Sequence, residues 1–370
     1  MPTAIGINVL HISSERSWRG GEQQIAYLIE ESRKMGLNPS VFLRKGSAFQ
    51  DWAKKEEVPF YAASFSNALD VGSALGLKKA VSEGNIDLIH IHSGKGHDIY
   101  ALATLFGLTC KAVLSRRVDF PVKSNLWAKW KYNLKSIQRI ICVSEAIRTM
   151  TAPALKEPSK AITVHSGIDL ARFEGVTADA GLRAKYNIPS NYTLIGNVSA
   201  LAPHKDLSTF VRTAEAFLSK DPEAVFFIVG EGDEREDLTT QIDSTGLQGK
   251  VILTGFRTDV PAVLRELDLF LITSKTEGLG TTVLDAFASG TAVVATAAGG
   301  IPESVIDGQT GLLCPIGDYI ALSAALDRLV NDEELKTELK RNAIKHLAQF
   351  TKESTARKTL LIYEEVIADS

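Results

Sequence analysis

The feature that most constrains this 370-residue chain is a series of short, continuously apolar runs, each followed by a segment of helical pattern, and the series occurs twice. In the first half the runs fall at residues 5–10, 40–43, 86–91, 111–114 and 139–143. They are apolar throughout rather than alternating, which is the pattern of parallel strands buried on both faces. Between them lie helical stretches such as 22–34, where Ile25, Leu28 and Ile29 share a face and Gly36 can end the helix. Weaker signals at 177–191 precede a second series at 193–198, 224–229, 250–253, 267–272 and 291–295. No fixed sequence period links the halves, so one layer type recurs without a solenoid repeat. The expectation is an α/β protein of two doubly wound, Rossmann-like domains facing a central cleft, at 1–168 and 169–350, with a C-terminal helix at 351–370 able to pack on either. Ligands of such sheets bind where strand C-termini meet helix N-termini.

Composition removes several classes of function. Forty-one Lys and Arg against 44 Asp and Glu give a net charge of −3, which argues against bulk electrostatic binding of nucleic acid. Three scattered cysteines fit neither a disulfide framework nor a zinc site and point to a reducing, cytoplasmic setting. No apolar run reaches the roughly 18 to 20 residues that span a bilayer, and the N-terminal residues lack a leader pattern. Histidines and carboxylates show no H-E-x-x-H spacing, so no metal is expected. Gly230-Glu231-Gly232 lacks the third glycine of a dinucleotide fingerprint.

The chemistry concentrates in TSKTEGLGTTVLDAFASG, residues 273–290. A strand ends near Ile272, a loop carries Glu277-Gly278-Leu279-Gly280, and a helix from Thr281 to about Ser289 is closed by Gly290. Bare glycines allow close backbone approach, and the first-turn amides of the helix attract an anion. Thr281 and Asp285 are one turn apart, while Val283, Leu284 and Phe287 can face the sheet. Glu277 and Asp285 could each accept hydrogen bonds from vicinal hydroxyls, on two rings flanking a phosphate.

Glu277 followed eight positions later by an acid, in E-G-x-G-x4-(E/D)-A-x-A-x-G form, resembles the signature of family 4 glycosyltransferases, retaining enzymes of the two-domain GT-B fold. The likeness extends over most of the chain. Gly20-Gly21-Glu22 resembles the family's N-terminal glycine loop, Asp87 to His92 its D-x-x-H-x-H segment, and Val143-Ser144-Glu145 with Arg148 its V-S-x-x-x-(K/R). His165-Ser166-Gly167-Ile168-Asp169 with Phe173, the Gly230 loop, Gly299-Gly300-Ile301-Pro302-Glu303, Asp307-Gly308 and Thr310-Gly311 follow in order.

Residue by residue, the resemblance implies that Glu277 binds hydroxyls of the donor hexose and that the amides of Gly278, Leu279, Gly280 and Thr281 hold its phosphate. Asp285 would hold the nucleotide ribose, and Lys205 in Pro203-His204-Lys205-Asp206 would neutralise the diphosphate. Gly20 and Gly21 would approach that diphosphate, and His92 would lie near the sugar and the acceptor hydroxyl. Glu277, His92 and Lys205 are thus the candidate catalytic residues. In this family the leaving phosphate is thought to take the acceptor's proton, so no protein nucleophile, metal or cofactor is assigned. Two departures stand out: Ala200 occupies the position of a usual arginine, with Arg257 as its candidate replacement, and Asp285 stands for the usual glutamate.

The acceptor side reads less sharply. Lys95 and His97, read as loop residues, and Arg116 and Arg117, at a strand end, are candidate acceptor contacts; His90 reads as packed core. From 118 to 139 the chain carries Lys123, Lys129, Lys131, Lys135 and Arg139, with no acid after Asp119. On one helix through this segment, Leu126, Trp127, Trp130, Leu134 and Ile137 would share an arc with the lysines outside it. That suggests either a helix packed on the sheet or a peripheral contact of 123–139 with anionic lipid, presenting a lipid-linked acceptor. The expected function is transfer of a sugar from a nucleotide-diphosphate sugar to a cell-envelope glycan or glycolipid, in the cytoplasm or at the inner membrane face. The competing reading is a non-catalytic nucleotide- or glycan-binding protein on the same scaffold.

Overall fold

The computed structural model describes residues 6–179 and 181–368. The chain divides into two units, Met1–Gly167 with Lys352–Ser370, and Ile168–Thr351. The first holds seven strands: β1 (Asn8–Ser13), β2 (Asn38–Arg44), β3 (Phe60–Ala63), β4 (Leu88–Ile91), β5 (Ala112–Arg116), β6 (Ile137–Cys142) and β7 (Ala161–Thr163). They form one sheet in the order β3-β2-β1-β4-β5-β6-β7. The second unit holds β8 (Thr193–Val198), β9 (Ala224–Val229), β10 (Val251–Gly255), β11 (Leu269–Ile272), β12 (Ala292–Thr296) and β13 (Leu312–Cys314), in the order β10-β9-β8-β11-β12-β13. Every paired strand is parallel.

Both orders are the doubly wound pattern, two parallel-sheet α/β domains of GT-B type. In each, the direction of winding reverses between the first strand and its later neighbour: β1 and β4 in one unit, β8 and β11 in the other. Chain leaving the C-terminal ends of those two strands diverges to opposite faces and leaves a crevice. The strands are held by residues such as Val9, Ile89, Phe227 and Phe270, all fully buried. Each such side chain contributes about 1.5–3 kcal/mol through burial.

The helix Lys352–Ala368 belongs to the first unit. Tyr363 and Val366 pack with Val9, Leu88, Val113 and Ile141, Lys111 Nζ donates to the Val366 carbonyl at 2.9 Å, and Arg139 pairs with Glu365.

Three strands escape the sequence pattern. β3, β7 and β13 each stand at a sheet edge. They have three or four residues, and β3 is partly exposed along its length, so they carry no long apolar run. The first strand runs Asn8–Ser13 rather than 5–10, and residue 5 lies outside the described residues. The segment 123–139 is not one helix. A helix covers only Leu126–Tyr132, and Ile137 already belongs to β6. Leu126, placed on the packed arc by helical spacing, is 86% exposed. Lys131, placed outside it, turns inward and pairs with Asp98 at 2.6 Å. That carboxylate also accepts from Trp127 Nε1 at 2.8 Å, so Trp127 keeps its expected inward face while Leu126 and Lys131 depart from theirs. Among the described residues no helix is long and apolar enough to cross a membrane.

Candidate functional site

In the second unit two loops leave the crevice between β8 and β11, at 199–206 and 273–280. They are tied together. Thr273 Oγ1 donates to the carbonyls of Lys205 and Asp206 at 3.1 and 3.0 Å. The Lys275 amide donates to the His204 carbonyl at 2.8 Å, and Lys275 Nζ pairs with Asp206 at 3.1 Å. From the other side the Gly300 amide donates to the Glu277 carbonyl at 3.0 Å. At Gly299, φ is +52° and a Cβ would lie 2.0 Å from that same carbonyl oxygen, so only glycine lets the two loops close.

This scaffold brings together two residues 72 apart in sequence. Lys205 Nζ forms an ion pair with the Glu277 carboxylate, which also accepts from Ser274 Oγ at 3.3 Å. Both side chains are largely shielded, at 17% and 12% exposure, so the pair attracts more strongly than a surface one. The loop then enters the helix Thr281–Ala288 through Gly280, whose φ is 77°. No side chain caps this helix, so Gly278, Leu279, Gly280 and Thr281 present backbone N–H groups at a dipole end suited to an anion. The Leu279 side chain is buried, leaving its backbone as the part open to such a role.

Asp285 lies one turn into the helix. Its Oδ1 is buried and accepts no hydrogen bond. Burial raises its pKa to about 6, with Arg172 pulling the other way. A buried acceptor without a donor is a place for ligand hydroxyls to bind. Arg257 is ion-paired with Asp259, so the geometry does not offer it as a replacement for the cation missing at Ala200.

The first unit has a different chemistry at the equivalent crevice. Register places His11 of β1 beside His90 of β4, and His92 follows two residues on. The three rings cluster, with candidate ligand nitrogens within 4.8 Å of one another, so they are the residues that could hold a metal. Most of those nitrogens are already engaged. His90 bonds Tyr363 Oη and Ser115 Oγ, and His11 Nδ1 lies 2.9 Å from His92 Nε2. Both Nη atoms of Arg117 lie 3.2 Å from His92 Nδ1. Arginine only donates, so His92 accepts at Nδ1 and donates from Nε2 to His11. Neither nitrogen of His92 is left for an acceptor hydroxyl in this arrangement. Burial holds His11 down to about 3 and lowers His90 and His92 well below the usual range, so the cluster stays neutral.

Lys95 and His97 are not loop residues: the helix Gly94–Leu105 contains both. Lys95 is exposed. His97 is buried and hydrogen-bonded to the Lys131 carbonyl at 3.1 Å. Gly20 and Gly21 open the helix Gly20–Lys34, and a Cβ at either would meet nothing within 4 Å, so the fold itself does not demand glycine there. Glu22 caps the same helix, accepting from Ser13 Oγ at 3.1 Å and the Arg19 amide at 3.3 Å. The sequence pattern missed His11 and Tyr363, and it gave Ser274 and Gly299 no role although both lie in stretches it singled out. The S-K-x-E-G stretch held a signal for Ser274, whereas His11 is found only through strand register.

Two family models match the chain in tandem, Glycosyltransferase Family 4 over residues 18–172 and Glycosyl transferases group 1 over 180–346. The N-acetyl-alpha-D-glucosaminyl L-malate synthase of Bacillus anthracis is 25% identical over 81% of this chain and 80% of that protein. The UDP-Gal:alpha-D-GlcNAc-diphosphoundecaprenol alpha-1,3-galactosyltransferase of Escherichia coli is 26% identical over 75% of each. Among solved structures, Anabaena HepE in complex with UDP and glucose superimposes with a TM-score of 0.86 over 97% of this chain and all of that one, at 21% identity.

Proposed function

Because this chain belongs to the family 4 glycosyltransferases, we propose that it moves a hexosyl group, with retention, from a nucleotide-diphosphate sugar to a cell-envelope glycan or glycolipid. The observation that carries the reading is the shielded Lys205–Glu277 pair beside an uncapped helix N-terminus. As the bond between the sugar's anomeric carbon and the diphosphate oxygen breaks, negative charge grows on the leaving diphosphate. Fixed amides at 278–281 are pre-aimed at that charge, and the Lys205 ammonium reaches it by exchanging Glu277 for the diphosphate. Glu277, released from Lys205 as the diphosphate takes its place, can accept from the hexose hydroxyls. Asp285 Oδ1 can accept from the ribose. The acceptor oxygen bonds to the anomeric carbon and its proton passes to the leaving phosphate, so neither protein nucleophile nor metal is required. UDP in the HepE complex and the nucleotide sugar in the Escherichia coli relative's name support this choice of donor.

We place the peripheral membrane contact on the exposed Phe120, Lys123, Leu126 and Lys129, where apolar and cationic side chains suit an anionic bilayer. Leu126→Glu should abolish flotation with anionic vesicles; equal flotation would retire this contact.

Turnover across a panel of nucleotide sugars tests the reaction. One sugar should be transferred or slowly hydrolysed, with Glu277→Gln slowing the reaction by about 10²- to 10³-fold, as for loss of one preorganised polar group. Tight nucleotide binding with no turnover on any donor would instead indicate a binding protein.

A further inference from the structure

The first unit holds a cavity of about 470 Å³ beside His92, lined by Arg116, Arg117 and part of the segment leading to Lys123. Resting on the glycosyl-transfer reading, we propose that this cavity is the acceptor site and that the acceptor carries an anionic group, a phosphate or a carboxylate, seated on Arg117 and Arg116.

The argument is one of unmatched charge. Arg116 is 4% exposed, yet its guanidinium meets only neutral acceptors, Tyr132 Oη at 2.6 Å and the Phe120 carbonyl. Arg117 meets only the imidazole of His92. The Nε of each is buried and without a partner. No carboxylate lies within ion-pair distance of either among the described residues. A buried cation lacking a counter-ion is costly, and an anion supplied by a ligand removes that cost.

Of the carboxylates lining the cavity, Glu15, Glu22 and Asp98, none forms an ion pair with Arg116 or Arg117 among the described residues. Asp98 is matched by Lys131. Glu22 caps its helix and acts on Arg117 only from beyond ion-pair distance. Burial also lowers Arg117 to about 10, which leaves it fully charged at neutral pH. The neutral histidines behind it orient the fork without adding charge of their own. A planar guanidinium favours bidentate binding of phosphate or carboxylate.

The test uses the full chain saturated with UDP, so that phosphate cannot enter the donor site, and inorganic phosphate as probe. In the wild type, phosphate should shift the side-chain Nε–H resonances of Arg116 and Arg117. Arg117→Gln should weaken phosphate binding about 10- to 100-fold with UDP affinity retained, and Arg117→Lys should recover part of it. Unmoved resonances, or equal phosphate affinity in Arg117→Gln, would overturn the proposal. Retained UDP binding and an unchanged unfolding transition separate this from misfolding. If UDP itself does not bind, the glycosyl-transfer reading fails, and the phosphate shifts still report on the cavity. A second arm compares phosphatidylcholine vesicles with and without phosphatidic acid. Capture by the acidic vesicles that Arg117→Gln loses assigns a lipid-borne anion, whereas phosphate shifts with no such capture assign a soluble one.

Discussion

The same strand order builds a crevice in each unit, and the two crevices are furnished by opposite means. Between β8 and β11 the chemistry is mostly backbone: glycines, free amides, and one lysine matched to one glutamate. Between β1 and β4 it is side chains: three neutral imidazoles behind two guanidinium groups without carboxylate partners. A backbone site can hold a diphosphate common to many donors, because amides read charge and not identity. A side-chain site is set by individual residues and can differ freely from relative to relative. On the proposed reading, the topology sets the place of each crevice, and the furnishing separates a general donor site from a particular acceptor site.

The largest expected effect strikes the backbone side. Gly299→Ala puts a Cβ within 2.0 Å of the Glu277 carbonyl oxygen at a positive φ. It should lower stability by about 1–3 kcal/mol and displace the Glu277 loop, with transfer falling more than it does for any cavity-side substitution. Thermal unfolding and UDP titration on one sample measure both; wild-type values for each would show that the loops are not closely packed.

The pH responses should run in opposite directions. Asp285 holds its proton more tightly folded than unfolded, so its contribution to stability falls as pH rises from about 4 to about 6. Asp285→Asn should therefore raise stability near pH 7 by about 1–3 kcal/mol while weakening UDP binding and flattening its dependence on pH around 6. The histidines of the first unit are depressed, so their unfolded forms bind more protons below about 6.5 and stability is lost on acidification. Parallel unfolding curves for Asp285→Asn and wild type across pH 4–8 would contradict the assignment.

Tyr363→Phe leaves one His90 nitrogen without its buried partner and should cost about 1–3 kcal/mol in the first unit, with UDP affinity unchanged. Coupled loss of nucleotide binding would mean that the two furnishings are not independent. The smallest effect belongs to Arg257→Ala. Its charge is already matched by Asp259 near the surface, so stability should change by about 0–1 kcal/mol and UDP affinity hardly at all. A tenfold loss of affinity would restore it as the missing diphosphate cation.

The backbone side was the more legible in the sequence. Glycines and the acid spacing at 277–285 mark a strand–loop–helix turn whose geometry is local. The Lys205–Glu277 pair was not legible as a pair, because it depends on Thr273 and Lys275 tying two distant loops. The side-chain crevice was read in fragments. His90 and His92 stood out by spacing, but His11 joins them only through the parallel register of β1 and β4. The basic segment misled for a physical reason. A short helix ends at Tyr132, Asp98 draws Trp127 and Lys131 inward, and β6 begins where a longer helical arc was expected. The edge strands β3, β7 and β13 were missed because their brief runs carry little of the apolar signal that marks central strands.

The most direct test of the donor assignment is a crystal structure of the chain with UDP. The phosphates should lie on the amides of residues 278–281 with Lys205 turned from Glu277 toward them, and the ribose hydroxyls should lie on Asp285. UDP bound away from the β8–β11 crevice, with the Lys205–Glu277 pair intact, would contradict it.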